Sequence, residues 1–358
     1  MKKFLENIWY VAAWSHELGE KPLGRTLVDL PVVLFRTAAG EVAALYDSCP
    51  HRFVALSLGK VKGDTIQCGY HGLQFRTNGA CAKFPFAQPD NPNAKVRSFP
   101  VKEKDGLVWF WPGDPARADA SLIPDLSVNT DPAYQYARGV TRIQAGYELL
   151  NDNLLDLTHA RYLHPDFGGE DFWIPEVSFK RTGDDITGTY VVKDLPPTPL
   201  YESALYEPSN GRHLRETSTI TWTAPSVCVL YVDWAWEESP EVRFSRAPGL
   251  HIATPETASS FHYFWTQGVD AGVPMDMEHF GRSIQFAFET EDGVFLESAQ
   301  RELNGRDFWE VNPAVLKNDR GAILARRILK QKLRAEEGGE DRDLSAHEEL
   351  SRSVGTIE

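Results

Sequence analysis

The stretch CPHRFVALSLGKVKGDTIQCGYHG, residues 49–72, holds two short motifs: Cys49-x-His51 and, 16 residues further on, Cys68-x-x-His71. Short β-like runs, EVAALYDS and TIQCGY, lead into them, and each pair enters a loop carrying Pro or Gly. Two such loops can approach one another and clamp a metal centre. Pro50 stiffens the first, and Gly69 and Gly72 let the second backbone come close. Cys81 and Cys228 match neither half-motif and read as small buried apolar residues.

Two Cys and two His suit either a tetrahedral structural zinc or a Rieske [2Fe–2S] centre, with two Cys on one iron and two His on the other. A zinc finger usually keeps its Cys pair and its His pair together. Here each loop supplies one of each, which suits a cluster with a thiolate end and an imidazole end. Four cysteines in 358 residues are too few for a disulfide scaffold and point to a reducing, cytoplasmic setting. The net charge of −14 argues against nucleic acid or an anionic membrane as partner. No apolar run approaches the roughly 20 residues needed to cross a bilayer.

Around this stretch, residues 8–112 are β-rich: IWYVAAW, RTLVDLPVVLFRT and GLVWFWPG are short apolar or aromatic runs between turn residues. Residues 113–133, rich in Asp, Ala and Pro, read as a connector. Beyond them, GDDITGTYVVKDL, TSTITWTAPSVCVLYVDWAW and LHIATPETASSFHYFWTQ read as strands of an antiparallel sheet. Residues 147–163, about 276–303 and 320–336 read as helices. The fold class is therefore α+β, with an all-β domain over 1–115, a sheet-and-helix catalytic domain over 116–340 and a charged tail over 341–358.

The helix YELLNDNLLDLTHARYLHP, residues 147–165, is leucine-rich yet carries Asn153, Asp156 and His159 at spacings of three. In a helix these form one slanting ribbon, and a buried carboxylate there needs a partner. Alone, the Asp156/His159 pair would be a satisfied structural contact. In an unbroken helix His164 would point about 140° away from His159, but Pro165 disfavours the α conformation at His164. The helix is expected to break there and swing the second imidazole toward the first. Two such His with one carboxylate make the face used by non-haem Fe(II) oxygenases. For that acid, Phe280, Ile284, Phe288, Phe295 and Ala299 form one apolar stripe with Glu291 and Asp292 both inside its width, and periodicity does not choose between them. His251 on a strand, and Trp234, Trp236 and Phe264, are candidates to line a pocket, His251 to bind an aromatic acid's carboxylate.

CPHR…CGYHG, NIWYVAAW, WFWPGD, DNLLDLTHARYLH, TPET and EDGVFLE together resemble the oxygenase components of the vanillate O-demethylase, dicamba O-demethylase and toluenesulfonate methyl-monooxygenase group. The resemblance spans nearly the whole chain. Gly69 and Leu73 stand where some members have Pro and Trp, and residues 195–250 diverge most. The resemblance implies a Rieske domain followed by a helix-grip domain, with Cys49, His51, Cys68 and His71 on the cluster and His159, His164 and Asp292 on mononuclear Fe(II). It implies a homotrimer in which Asp156 bridges His159 and a cluster histidine of a neighbouring subunit, with Asn153 beside the metal. It further implies electrons from NAD(P)H through a flavin/iron–sulfur reductase, sometimes with a ferredoxin, and a monooxygenase that uses O2 to hydroxylate an alkyl substituent of a small aromatic compound.

The rival readings are a ring-dihydroxylating oxygenase, a Rieske electron carrier and a zinc-stabilised interaction protein. Metal analysis separates the last two from an oxygenase. Purified protein is expected to hold roughly three iron atoms per chain, against two for a carrier. It should show the visible absorption of a Rieske cluster; a colourless zinc protein would refute this.

Overall fold

The computed structural model describes residues 3–85, 91–167 and 176–338. The expected tail over 341–358 lies outside the described residues. The chain divides into two compact units: Phe4–Thr130 with Thr254–Ala258, and Asp131–Ala253 with the residues from Ser259 onward.

The first unit is built from β1 (Tyr10–Trp14), β2 (Leu23–Leu27), β3 (Leu30–Arg36), β4 (Val42–Tyr46), β5 (Lys60–Lys62), β6 (Thr65–Gln67), β7 (Gln74–Arg76), β8 (Cys81–Lys83), β9 (Ser98–Phe99), β10 (Val101–Lys104) and β11 (Leu107–Phe110). They form three small antiparallel sheets, in the orders β1-β11-β10, β2-β3-β4-β9 and β5-β6-β7-β8. Val32, Val33, Leu34 and Phe35 of β3 are wholly buried, so this strand is covered on both faces, as its unbroken apolar run requires. Val33, Phe35, Leu45, Leu56, Ile66 and Phe75 pack into one cluster that takes in Cys49 and Cys68. The connector after WPGD folds back onto this unit: the Trp9 indole donates to the Asp119 carbonyl (2.8 Å) and Asn129 to the Asp105 carbonyl (2.7 Å).

The second unit is a seven-stranded antiparallel sheet of β12 (Tyr134–Ile143), β13 (Glu176–Thr182), β14 (Asp185–Leu195), β15 (Leu214–Thr223), β16 (Val227–Trp236), β17 (Arg243–Thr257) and β18 (Ser260–Asp270), in the order β12-β18-β17-β16-β15-β14-β13. This matches the expected α+β class. The edge strands β12 and β13 escape the sequence reading because half-exposed edges carry little apolar alternation. On β15 the alternation is complete: Leu214, Glu216, Ser218, Ile220 and Trp222 face inward.

The helices are α1 (Tyr147–Leu154), α2 (Ala160–Leu163), α3 (Pro199–Ser203), α4 (Met277–Phe286), α5 (Gly293–Leu303) and α6 (Arg320–Glu336). α1 packs against α5 and α6. Its attachment to α6 is ionic: Arg326, 6% exposed, forks onto Asp152 (2.6 Å) and reaches Glu148 (2.7 Å), with its guanidinium over the Phe308 ring. Burial pushes Glu148 and Asp152 upward, and the Arg326 charge opposes it at both. Replacing Arg326 with Ala is expected to cost about 2–3 kcal/mol in urea unfolding because it leaves two half-buried acids without their cation; a loss below about 1 kcal/mol would show that the network is dispensable.

Candidate metal centres

The two Cys/His loops share one backbone design. Cys49 N–H donates to the Val54 carbonyl (2.9 Å), and the Cys49 carbonyl accepts from Phe53 N–H (2.8 Å). Cys68 N–H donates to the Leu73 carbonyl (2.8 Å), and the Cys68 carbonyl accepts from Gly72 N–H (3.1 Å). The residue four places after each cysteine turns left-handed, Phe53 at φ 60° and Gly72 at φ 81°. Gly72 adopts this without steric cost, whereas Phe53 is held in it by the loop. A Cβ at Gly69 would lie 2.9 Å from the Leu58 carbonyl oxygen, which accounts for that glycine.

Cys49 and Cys68 are each 2% exposed, while His51 is exposed and His71 half-buried. The two imidazole rings are 4.6 Å apart. The thiol end therefore lies in the core and the imidazole end at the surface. Burial, joined by the neighbouring Cys68, raises the Cys49 thiol, so a cationic centre would be needed to hold it as the thiolate. The donor set fits a [2Fe–2S] group with two sulfur and two nitrogen ligands.

The second centre departs from its expected helix. α1 stops at Leu154, and Asp156 lies outside helical space at φ −141°, ψ 84°, so residues 147–163 form α1, a 3₁₀ turn at Leu157–His159 and α2. The cause is local: the Asp156 carboxylate accepts from Thr158 N–H (3.1 Å) and Thr158 Oγ1 (2.6 Å), an alternative to the helix ladder. The expected bond from His159 to that carboxylate is therefore corrected. His159 Nδ1 donates instead to the Asp156 backbone carbonyl at 2.5 Å. The chain does turn at His164, which sits at φ −119°, ψ 81° before Pro165, as expected.

These breaks bring the imidazoles to 5.2 Å between ring centroids. Asp292 Oδ1 lies 3.5 Å from His159 Nε2 and 3.3 Å from His164 Nε2, and accepts from Asn153 Nδ2 at 3.0 Å. His164 Nδ1 donates to Glu291 Oε2 at 2.7 Å. Each imidazole thus has its Nδ1 held from behind and its Nε2 turned toward one carboxylate oxygen. The geometry separates the two acids that periodicity left tied: Asp292 joins the imidazole pair and Glu291 stands behind His164. Burial lowers His159. It also works against charge on His164 and Asp292, but their mutual attraction prevails, raising the one and lowering the other. The three ligand atoms lie within 4.8 Å of one another, a nitrogen and oxygen set suited to a divalent first-row metal. Asn153 Oδ1 beside them is buried without a partner.

A π-helical turn places the two acids. Between α4 and α5, residues Ala287–Asp292 are π-helical. This inserts a residue and rotates the chain beyond it. Phe280, Ile284 and Phe288 are buried as expected, but Phe295 is 59% exposed and Leu296 takes its place. The expected stripe through Phe295 and Ala299 fails there because it assumed an uninterrupted α period.

The triad opens into a cavity of about 130 Å³ in the second unit, lined by Leu154, Phe167, Leu230, Val232, Ile284 and Phe288 among others. His251 lines it with Nδ1 2.7 Å from the Tyr263 hydroxyl and Nε2 buried and unpartnered. Trp234 lines it as well. Trp236 instead stacks on Phe244, and Phe264 is core. Glu216 on the cavity wall was not foreseen, since one acid in an alternating strand carries no distinguishing signal. Burial lowers His251 from 6.5 to about 4. A folded imidazole that resists protonation gives its full stability above the unfolded value and loses it as pH falls toward the folded one. Between pH 6.5 and 4 the wild type is expected to lose about 3 kcal/mol relative to His251→Gln; a constant difference would refute this.

The comparisons with known proteins follow the same division. Residues 8–100 match the Rieske [2Fe-2S] domain, and residues 143–335 match the vanillate O-demethylase oxygenase C-terminal domain. The chain is 38% identical over 341 residues to the dicamba O-demethylase oxygenase component of Stenotrophomonas maltophilia, covering 92% of this chain and 97% of that one. It is 32% identical to the chloroacetanilide N-alkylformylase oxygenase component of Rhizorhabdus wittichii, covering 93% and 97%. The crystal structure of dicamba monooxygenase bound to dicamba superposes with a TM-score of 0.84 at 35% identity, covering 94% of this chain and 99% of that one. With a Rieske domain ahead of a vanillate-demethylase-type catalytic domain, the chain belongs to the family of Rieske non-haem iron oxygenase components that includes the vanillate and dicamba O-demethylases.

Proposed function

We propose that this chain oxidises an alkyl substituent of an aromatic compound, by O- or N-dealkylation or by methyl hydroxylation, as the terminal component of a system fed from NAD(P)H by a flavin/iron–sulfur reductase, with or without a ferredoxin. One observation carries the reading: a His159–His164–Asp292 face opens into an apolar cavity on a chain that also holds a Cys₂His₂ loop pair. The names of its relatives, an O-demethylase and an N-alkylformylase, support the same reaction class.

In this reading Cys49, His51, Cys68 and His71 hold the cluster, and His159, His164 and Asp292 hold Fe(II). Held there, iron supplied with electrons through the cluster would furnish O2 activation for oxidation of a C–H bond. The chain's own residues do the positioning. The Asp156 carbonyl and Glu291 fix which nitrogen each imidazole presents. Asn153 steadies the Asp292 oxygen. Leu154, Val232, Ile284 and Phe288 exclude water around the reacting carbon. His251 offers its free Nε2 to a polar group on the substrate.

The working unit in this reading is a homotrimer in a cytoplasmic setting. Both bonds to the Asp156 side chain fall on Oδ1. Among the described residues Oδ2 takes no hydrogen bond, which leaves it for an imidazole of a neighbouring copy that would link the two metal centres across subunits. Among the described residues no helix is long and apolar enough to cross a membrane.

His159→Ala is expected to drop iron from roughly three atoms per chain to two, keep the cluster's visible spectrum and abolish O2-dependent aldehyde release from methoxylated or N-alkylated aromatics. Retained turnover would refute the assignment. Glu291→Gln leaves all three ligands in place and is expected to weaken iron binding about ten- to a hundredfold, as removal of an orienting partner does. Competition with a chelator measures this, and unchanged affinity would remove Glu291 from the site.

A further inference from the structure

Arg326, Asp292 and Glu216 are the charged side chains buried among the described residues. Arg326 has Asp152 and Glu148, and Asp292 has two imidazoles. Among the described residues, Glu216 has no cation beside it. It is 3% exposed, its Oε1 accepts from Ser218 Oγ (3.0 Å) and its Oε2 from Trp234 Nε1 (3.1 Å), and the Tyr201 hydroxyl lies beside it. These are neutral donors. They satisfy part of what a carboxylate can accept, but they do not offset the burial that raises the Glu216 carboxyl, an effect that a cation beside it would oppose.

Glu216 is also not sealed in a core. It lines the same cavity as His159, His164 and Asp292, opposite Trp234 across the β15–β16 pair. Among the described lining residues there is no lysine or arginine. His251 is held neutral by burial, so it offers a hydrogen bond but no positive charge. An aromatic carboxylate in this cavity would meet a buried acid and no fixed side-chain cation to offset it. A cationic nitrogen would find the acid.

We infer that Glu216 selects the substrate, and that this oxygenase takes an aromatic compound carrying a protonated amine in addition to the alkyl group it oxidises. The amine pairs with Glu216 while the alkyl carbon faces the imidazole–carboxylate end of the cavity. This rests on the alkyl-oxidation reading above and names its substrate class. It also sets the chain apart from dicamba monooxygenase, whose crystal structure holds 3,6-dichlorosalicylic acid.

Three probes of similar shape test it on the iron-loaded enzyme: 4-methoxybenzylamine, 4-methylanisole and 4-methoxybenzoate, with affinity read by calorimetry and formaldehyde release read with a surrogate reductase. A charge-assisted contact predicts that the amine binds about ten- to a hundredfold tighter than neutral 4-methylanisole, with the benzoate weakest. In Glu216→Gln, which keeps the shape and removes the charge, the amine's advantage is expected to vanish while the 4-methylanisole affinity holds. The wild-type ranking needs no variant, so a misfolded Gln protein does not rescue the idea. Benzoate binding as tightly as the amine, no binding of the amine, or an amine advantage that survives in Glu216→Gln would each overturn it. The two proposals fail separately. Selective amine binding without aldehyde from any probe supports the Glu216 assignment and sinks alkyl oxidation. Equal aldehyde release and equal binding across all three does the reverse.

Discussion

A carboxylate in an apolar interior has to be compensated, and Asp292 meets that constraint at the centre of the catalytic unit. Its Oδ1 takes the Asn153 amide and faces the Nε2 atoms of His159 and His164. Every irregularity nearby serves this convergence. The helix breaks at Asp156, the chain turns before Pro165, and a π turn carries Asp292 inward. Regular helices would have kept these groups apart; departures from the ladder at a site of this kind are a recurring use of π and 3₁₀ segments.

The contacts behind the two imidazoles fix how they face Asp292. Glu291 and the Asp156 carbonyl each accept from an Nδ1–H, leaving both Nε2 atoms turned toward Asp292. The Arg326 fork onto Asp152 and Glu148 ties α1 to α6, and so steadies the helix that ends just before the site. The two Cys/His loops obey a parallel logic at smaller scale. Two matched turns bury two thiols and leave two imidazoles toward the surface, a gradient in polarity that suits electrons entering or leaving by the nitrogen end.

Sequence reasoning reached the donor types because they are unusual in their settings. A mixed Cys/His pair in each of two loops, and two imidazoles around a proline-terminated helix, are hard to explain as core. It missed what depends on backbone departures. The Asp156 carboxylate caps Thr158 instead of holding His159, since side-chain competition with a helix is invisible to a ribbon drawn at 100° per residue. Phe295 faces outward because one extra residue in the π turn shifts the phase of α5. Glu216 looked like any polar residue in a strand until the sheet set it beside Trp234 and Ser218 at the cavity wall.

By itself the sequence determined the α+β class, the Cys49/His51/Cys68/His71 set and the His159/His164 pair, because these rest on residue type, spacing and the local effect of proline. Tertiary structure alone decided which acid, Glu291 or Asp292, joins the imidazoles, which wall residues share the cavity with them, and that, among the described residues, one buried carboxyl there has no cation beside it. Neighbours in sequence can be divided by a fraction of a helical turn, and compensation of charge is a property of three-dimensional surroundings that no one-dimensional pattern records.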